Sequence, residues 1–127
     1  MVTKLRIDEG NMGYSAAVYQ ALDDTYVSEW DNKVDPDYIR DNVELFIWND
    51  RPTYEEIFNT RRKPHSVAYE GLLKLFQGNV NDYDVKVRVT SDMVKRWLKK
   101  HGIDYVELLK PIVDRIEEER AERASER

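Results

Sequence analysis

Residues 83–89 constrain the fold more than any other stretch of this chain. They read Tyr-Asp-Val-Lys-Val-Arg-Val, so apolar and polar side chains alternate without interruption. Alternation places every second side chain on one face, which is typical of a strand that covers a core on one side. Valine also favours extended backbone, because its branched side chain packs well on a pleated surface. We therefore predict a strand over 83–89.

A second alternating segment, residues 3–7, suits a partner strand. Pairing the two joins the beginning of the chain to its final third in a small antiparallel sheet. Elsewhere apolar residues recur every three or four positions, which is the spacing of amphipathic helices. The expected fold is therefore α+β: this sheet packed against about five helices, with the C-terminal helix partly solvated.

Single residues predict where several helices begin and end. Asp35 before Pro36 offers a side-chain acceptor and then a backbone angle suited to the first turn. Thr53 followed by Glu56 has the spacing of a capping box, which predicts another helix start. Gly78 stands where the left-handed residue that ends a helix is needed.

The last third of the chain carries similar signals. Thr90 or Ser91 predicts the start of a helix that Gly102 closes. A final helix begins at Asp104, and Pro111 within it predicts a kink or a break near Lys110. The apolar positions of residues 104–116 suit either the core or a second copy of the chain, so a homodimer stays open.

The chain has 127 residues, a net charge of −5 and no cysteine. Its length suits one domain over 1–119, followed by a charged tail over 120–127 that frays. Without cysteine there is no thiolate nucleophile and no zinc site built on thiolates. No apolar run approaches the roughly 20 residues that a membrane-spanning helix needs. We expect a cytoplasmic protein that does not enter a membrane.

The sequence contains no motif that a catalytic reaction demands. The two histidines, His65 and His101, lack the spacing of a zinc site, and His101 suits the negative end of a helix. Asp84 and Lys86 on the predicted strand are similar to the D-x-K element of metal-dependent nucleases, which leaves one catalytic alternative. We otherwise predict no enzymatic activity, no metal and no cofactor.

Charge is distributed unevenly along the chain. Residues 1–60 carry 13 acidic and 5 basic side chains, a net of −8, whereas residues 61–127 carry 12 and 15, a net of +3. An acidic half with interspersed aromatic residues suits docking on a basic protein surface. We therefore predict a protein-interaction module. Its candidate contact residues are Asp23, Asp24, Glu29, Trp30, Asp31, Asp37, Asp41 and Glu44.

A basic protein surface is often one that holds nucleic acid. An acidic domain on that surface would act as a competitive inhibitor of a nucleic-acid-handling host protein. In size and charge the chain is similar to small accessory proteins of phages and mobile elements, some of which block host defence enzymes. This similarity implies an inhibitory viral or mobile-element protein.

The alternative is a nucleic-acid-binding or regulatory module. Six cations lie within fifteen residues, and those on the predicted helix after Thr90 project away from its apolar side. The helix, turn and helix that follow have the outline of a helix-turn-helix unit. Asp104 and Glu107 oppose this role, because they would repel phosphate at the start of the reading helix. The cations are Lys86, Arg88, Lys95, Arg96, Lys99 and Lys100.

Overall fold

The computed structural model describes residues 15–125, which form six helices. These are α1 (15–26), α2 (Pro36–Asn49), α3 (Arg51–Ile57), α4 (Pro64–Asp82), α5 (Ser91–Lys100) and α6 (Tyr105–Ser125). No strand or sheet forms in this part of the chain, so the α+β prediction is wrong and the fold is a helical bundle. The predicted strand over 3–7 lies outside the described residues.

The predicted strand over 83–89 is an extended connection between α4 and α5. Asp84 has a left-handed φ of 58°, and residues 85–90 follow without pairing to a strand within 15–125. The alternation still reports burial: Val89 is buried, and Val85 and Val87 pack against the core. The two basic side chains between these valines are exposed.

The side-chain amide of Gln77 on α4 occupies the place of a neighbouring strand. Its Oε1 accepts a hydrogen bond from the Val89 N–H at 2.7 Å, and its Nε2 donates to the Val87 carbonyl at 2.9 Å. One donor and one acceptor are what a single residue of an adjacent strand supplies. A side chain of α4 therefore supplies hydrogen bonds to the extended segment that a neighbouring strand of a sheet would otherwise supply.

The core lies between α2, α4 and α6, with α1 and α5 closing one side. Tyr26, Phe76 and Trp97 meet there, with ring centroids between 5.4 and 6.0 Å apart. The apolar side of α6 is buried in the core of the same chain, so it gives no support to a homodimer. Its residues are Leu108, Leu109, Ile112 and Ile116.

Three predicted helix ends are confirmed. The Asp35 carboxylate accepts a hydrogen bond from the Asp37 N–H at 3.0 Å at the start of α2. The Thr90 hydroxyl accepts one from the Met93 N–H at 3.3 Å at the start of α5. Gly102 follows α5 with a φ of 71°, a left-handed conformation that glycine adopts at little cost.

Two predicted helix ends are wrong. α3 is capped by Asp50, whose carboxylate accepts hydrogen bonds from the N–H of Thr53 at 3.2 Å and from its hydroxyl at 2.6 Å. Gly78 does not end α4, which continues to Asp82. The extra turn buries Val80, four residues after Phe76 on the same side of the helix. The burial of Val80 therefore outweighs the tendency of Gly78 to end the helix.

Pro111 lies inside α6 and does not end it. A proline removes one N–H and crowds a carbonyl of the preceding turn, which weakens hydrogen bonding there. Arg40 on α2 supplies a donor to this turn, because its Nε donates to the Leu108 carbonyl at 2.8 Å. The helix continues to Ser125, and Arg120 donates to the Asn59 carbonyl after α3 at 2.8 Å. The predicted domain limit at residue 119 stays a prediction.

Candidate protein-docking surface

The loop between α1 and α2 presents Trp30 to solvent. Val27 and Val34 form an isolated antiparallel bridge at its base. Ser28 makes two backbone hydrogen bonds within the loop, one of them accepting from the Asn32 N–H at 2.9 Å. The Trp30 side chain at the tip is 98% exposed. We call residues 27–34 the tryptophan loop.

Short side chains hold the tip in shape. The Ser28 hydroxyl accepts a hydrogen bond from the Trp30 N–H at 3.2 Å, and the Asp31 carboxylate accepts one from the Lys33 N–H at 3.2 Å. Asn32 takes a left-handed φ of 55°, which asparagine tolerates better than most residues. The exposed indole therefore sits on a backbone that local hydrogen bonds already order.

Carboxylates surround the tryptophan loop. Residues 23–35 contain five acidic side chains and one lysine, a net charge of −4. Asp24 and Glu29 line a groove of about 970 Å³ between the end of α1, this loop and the end of α5. Lys100 and Tyr83 line the same groove from the other side. We call it the acidic groove.

Asp23 connects α1 to α5 through its side chain. The Trp97 indole N–H donates to its Oδ1 at 2.8 Å, and His101 Nε2 lies 3.2 Å from the same oxygen. Trp97 is fully buried, and a buried indole N–H needs an acceptor. Asp23 is therefore committed to holding the fold together, in addition to lining the acidic groove. His101 is the C-cap residue of α5, directly after the last helical turn.

The acidic candidates on α2 are separate from those of the loop. Asp37 pairs with Arg40 at 2.7 Å, and Glu44 pairs with Arg115 of α6 at 3.1 Å. Asp41 is exposed and pairs with no cation within residues 15–125. The structure therefore gathers five of the eight candidates at the loop and the acidic groove: Asp23, Asp24, Glu29, Trp30 and Asp31.

Two exposed residues of α2 were missed by the sequence reasoning. Tyr38 is 54% exposed and Leu45 is 60% exposed, and with Asp41 they share one side of the helix. The Tyr38 ring packs edge-on against Tyr26, at 6.0 Å between centroids, next to the base of the tryptophan loop. The spacing of 38, 41 and 45 could have indicated this stripe, since the buried positions of α2 occupy the opposite side.

The six basic candidates lie on two elements. Lys86 and Arg88 are exposed on the extended segment, and the other four are exposed along α5 opposite its buried side. Arg96 pairs with Asp92 at 3.0 Å. The remaining three cations of α5 are Lys95, Lys99 and Lys100.

The nuclease-like arrangement of Asp84 and Lys86 is not formed. Asp84 lies in the turn after α4 with a left-handed φ, so it does not alternate with Lys86 along a strand. Over residues 15–125 no three side chains of the metal-binding types cluster. No helix in that range is long and apolar enough to cross a membrane.

No known protein family, no curated protein and no solved structure matches the chain.

Proposed function

We propose that this protein is a non-catalytic interaction module whose tryptophan loop docks on a basic protein surface. One observation carries the proposal: Trp30 is 98% exposed at the tip of a loop that hydrogen bonds hold in shape. Tryptophan is among the most frequent energetic anchors of protein interfaces. An ordered loop also loses less entropy when it binds than a mobile one does.

The carboxylates around Trp30 indicate that the partner's surface is positively charged. The net charge of −4 over residues 23–35 attracts a basic surface and accelerates its approach. This attraction weakens as salt rises, because exposed charges are screened over about 8 Å at physiological ionic strength. Apolar contact through Trp30 would then provide most of the affinity, and the acidic side chains would mainly accelerate the approach of the partner.

The partner is a nucleic-acid-handling protein in this proposal. Such proteins carry the basic surfaces that an acidic module complements. Docking there excludes nucleic acid, so the module acts as an inhibitor in the cytoplasm. The proposal includes the role suggested by size and charge, a phage or mobile-element accessory protein directed at a host protein.

Affinity capture from the native cell tests the docking surface. Wild type should retain a basic protein, and Trp30→Ala should weaken binding by about 30-fold or more, the effect of losing an interface anchor. Val106→Ala is the matched control, because Val106 is a 50% exposed apolar residue of α6 outside the tryptophan loop. Equal capture by wild type and Trp30→Ala would rule out this surface.

The inhibitory step needs its own measurement. The captured partner should lose its nucleic-acid binding when the wild-type module is added, and should keep it when Trp30→Ala is added at the same concentration. A partner that binds nucleic acid and the module at the same time contradicts the inhibitor role and leaves docking intact.

The alternative, a nucleic-acid-binding module, is favoured by the exposed cations along α5. It replaces the docking proposal if Trp30→Ala still captures the partner while the protein shifts duplex DNA at about 150 mM salt, where weak nonspecific contacts are reduced. Combining Lys95→Glu with Lys99→Glu should then abolish the shift.

A further inference from the structure

Two hollows meet where α4, α5 and the start of α6 come together. One has a volume of about 380 Å³ and is lined by α5 and the turn after it. The other has a volume of about 330 Å³ and lies against α4. Lys95 and Tyr105 line both, so the two hollows are adjacent and share a wall. We call the pair the aromatic groove; its aromatic and basic lining residues are Arg62, His65, Tyr69, Lys95, Lys99 and Tyr105.

Three rings form one side of the aromatic groove. The ring centroids of Tyr69 and Tyr105 are 5.5 Å apart, and His65 lies 5.9 Å from Tyr105 and 6.5 Å from Tyr69. The Tyr69 hydroxyl is 2.6 Å from the Ser91 hydroxyl, and this hydrogen bond fixes the ring against the start of α5. The three residues are half-buried, so part of each side chain is exposed to solvent.

Cations border these rings. The Lys95 ammonium lies 5.2 Å from the centroid of the Tyr105 ring and 5.7 Å from that of Tyr69. Lys99 lines the same groove, and Arg62 lines its far end. The fold therefore brings Arg62 close to Lys95 and Lys99, which are distant from it in sequence, around the aromatic groove.

Two acids line the aromatic groove: Glu70 is paired with cations, whereas Asp104 keeps its negative charge. Glu70 pairs with Arg62 at 2.7 Å and with Lys74 at 3.3 Å. The Asp104 carboxylate accepts a hydrogen bond from the Val106 N–H at 2.9 Å at the start of α6. Lys95 and Lys99 have no carboxylate within salt-bridge distance among the described residues, so their charges remain available to an anionic ligand.

We propose that the aromatic groove binds single-stranded nucleic acid. Bases stack on the rings, and the neighbouring phosphates approach Lys95 and Lys99. Every base offers an aromatic face, so such a groove binds single strands with little sequence preference. A duplex is disfavoured, because its bases are stacked on one another and cannot reach the rings. An acidic peptide would use the cations and leave the rings unused.

This binding goes beyond the docking proposal, since a different surface carries it. It uses none of the tryptophan-loop residues and only two of the six cations singled out in the sequence. The two proposals can therefore fail independently: Trp30→Ala should leave nucleic-acid binding unchanged.

Fluorescence anisotropy with labelled oligothymidine of about 12 nucleotides, a length within the usual range for one small binding domain, tests the groove. Lys99→Ala and Lys100→Ala form a matched pair, because the two lysines are adjacent and exposed on α5 but line different grooves. Lys99→Ala should weaken binding several-fold and reduce the salt slope, log K against log salt, by about 0.7. Lys100→Ala should change neither quantity.

The rings are tested by Tyr105→Leu, which keeps an apolar side chain and removes the stacking face. Binding should weaken by about 5- to 150-fold. Tyr83→Leu is the control, because this exposed tyrosine lines the acidic groove. Circular dichroism verifies that Tyr105→Leu is folded; if it is not, the two lysine variants alone decide.

Several outcomes overturn the proposal. Equal losses in Lys99→Ala and Lys100→Ala would indicate general attraction to the charge of α5. Equal affinity for a duplex of the same length would exclude stacking, and absence of saturable binding at low salt would exclude the site. Tighter binding of a polyglutamate peptide than of the oligonucleotide would indicate an acidic protein partner.

Discussion

Gly71 determines how closely α4 approaches α2. A Cβ atom at this position would lie 2.7 Å from Cδ1 of Ile47 and closer still to its Cγ1. Gly78 lies about two turns further along the same side of α4, and a Cβ there meets nothing within 4 Å. The two glycines share α4 but differ in their surroundings, so they separate the effect of packing from the effect of helix propensity.

Alanine at these positions should change stability in opposite directions. Gly78→Ala should raise the free energy of unfolding by about 0.5–1 kcal/mol, because alanine restricts the unfolded chain and favours helix. Gly71→Ala should lower it by about 1–3 kcal/mol, because overpacking against Ile47 exceeds the same gain. Urea unfolding of the two variants and the wild type measures both changes. A stabilised Gly71→Ala would show that α4 and α2 separate at no cost.

At the scale of elements, Gln77 joins α4 to the extended segment. Gln77→Ala removes its two hydrogen bonds to this segment and leaves the Val89 N–H without its acceptor. We expect a loss of about 1–3 kcal/mol in unfolding free energy and faster hydrogen exchange at the Val89 amide. Gln20→Ala is the matched control, because the Gln20 amide bonds Asp24 on an exposed surface. An unchanged exchange rate at Val89 in Gln77→Ala would contradict this role.

The helix ends show where a local sequence signal is enough to predict structure and where it is not. Asp35 and Thr90 were predicted as caps from their own neighbours, because a cap is completed within three residues. Gly78 was assigned wrongly, because the burial of Val80 by the rest of the chain decides whether α4 continues. Local chemistry predicts a helix end only where tertiary packing does not oppose it.

At the scale of the whole molecule, one buried group and one half-buried group shape how stability depends on pH. Burial raises the pKa of the Tyr26 phenol from 10.0 to about 12, although a hydrogen bond from Asn79 opposes the shift. Burial also disfavours ionisation of Glu70, but hydrogen bonds and charge from Arg62 and Lys74 outweigh it and hold its pKa below the ordinary 4.5.

These shifts predict a stability plateau that falls at both ends. The folded state holds the Tyr26 proton more tightly than the unfolded state, so this stabilisation is complete below pH 10 and is lost as pH rises towards 12. The loss is on the order of 2–3 kcal/mol. Folded Glu70 binds its proton more weakly, so its contribution is present above pH 4.5 and is lost as pH falls.

Urea unfolding between about pH 3 and pH 11 measures this profile. Tyr26→Phe should flatten the alkaline decline, and Glu70→Gln should flatten the acidic one. An alkaline decline of the same slope in Tyr26→Phe would show that another group causes it. The slopes are the quantities to compare, because each variant also changes stability at neutral pH.

Short-range sequence patterns are enough to predict the charge distribution, most helix starts and which side of each segment is buried. These properties depend on residues within a few positions of one another. The sequence also places Trp30 among acidic residues. Exposure of Trp30 is a property of the closed loop.

The fold class and the candidate sites depend on contacts between distant parts of the chain. Alternation in 83–89 reports one buried face, but a sheet also requires a neighbouring backbone, and here the Gln77 side chain supplies those hydrogen bonds. Asp23 meets Trp97, and Tyr69 meets Lys95 and Tyr105, across separations that no local pattern encodes. Such contacts arise from how the helices pack, since the position of each residue along its own helix leaves its partners on other helices undetermined.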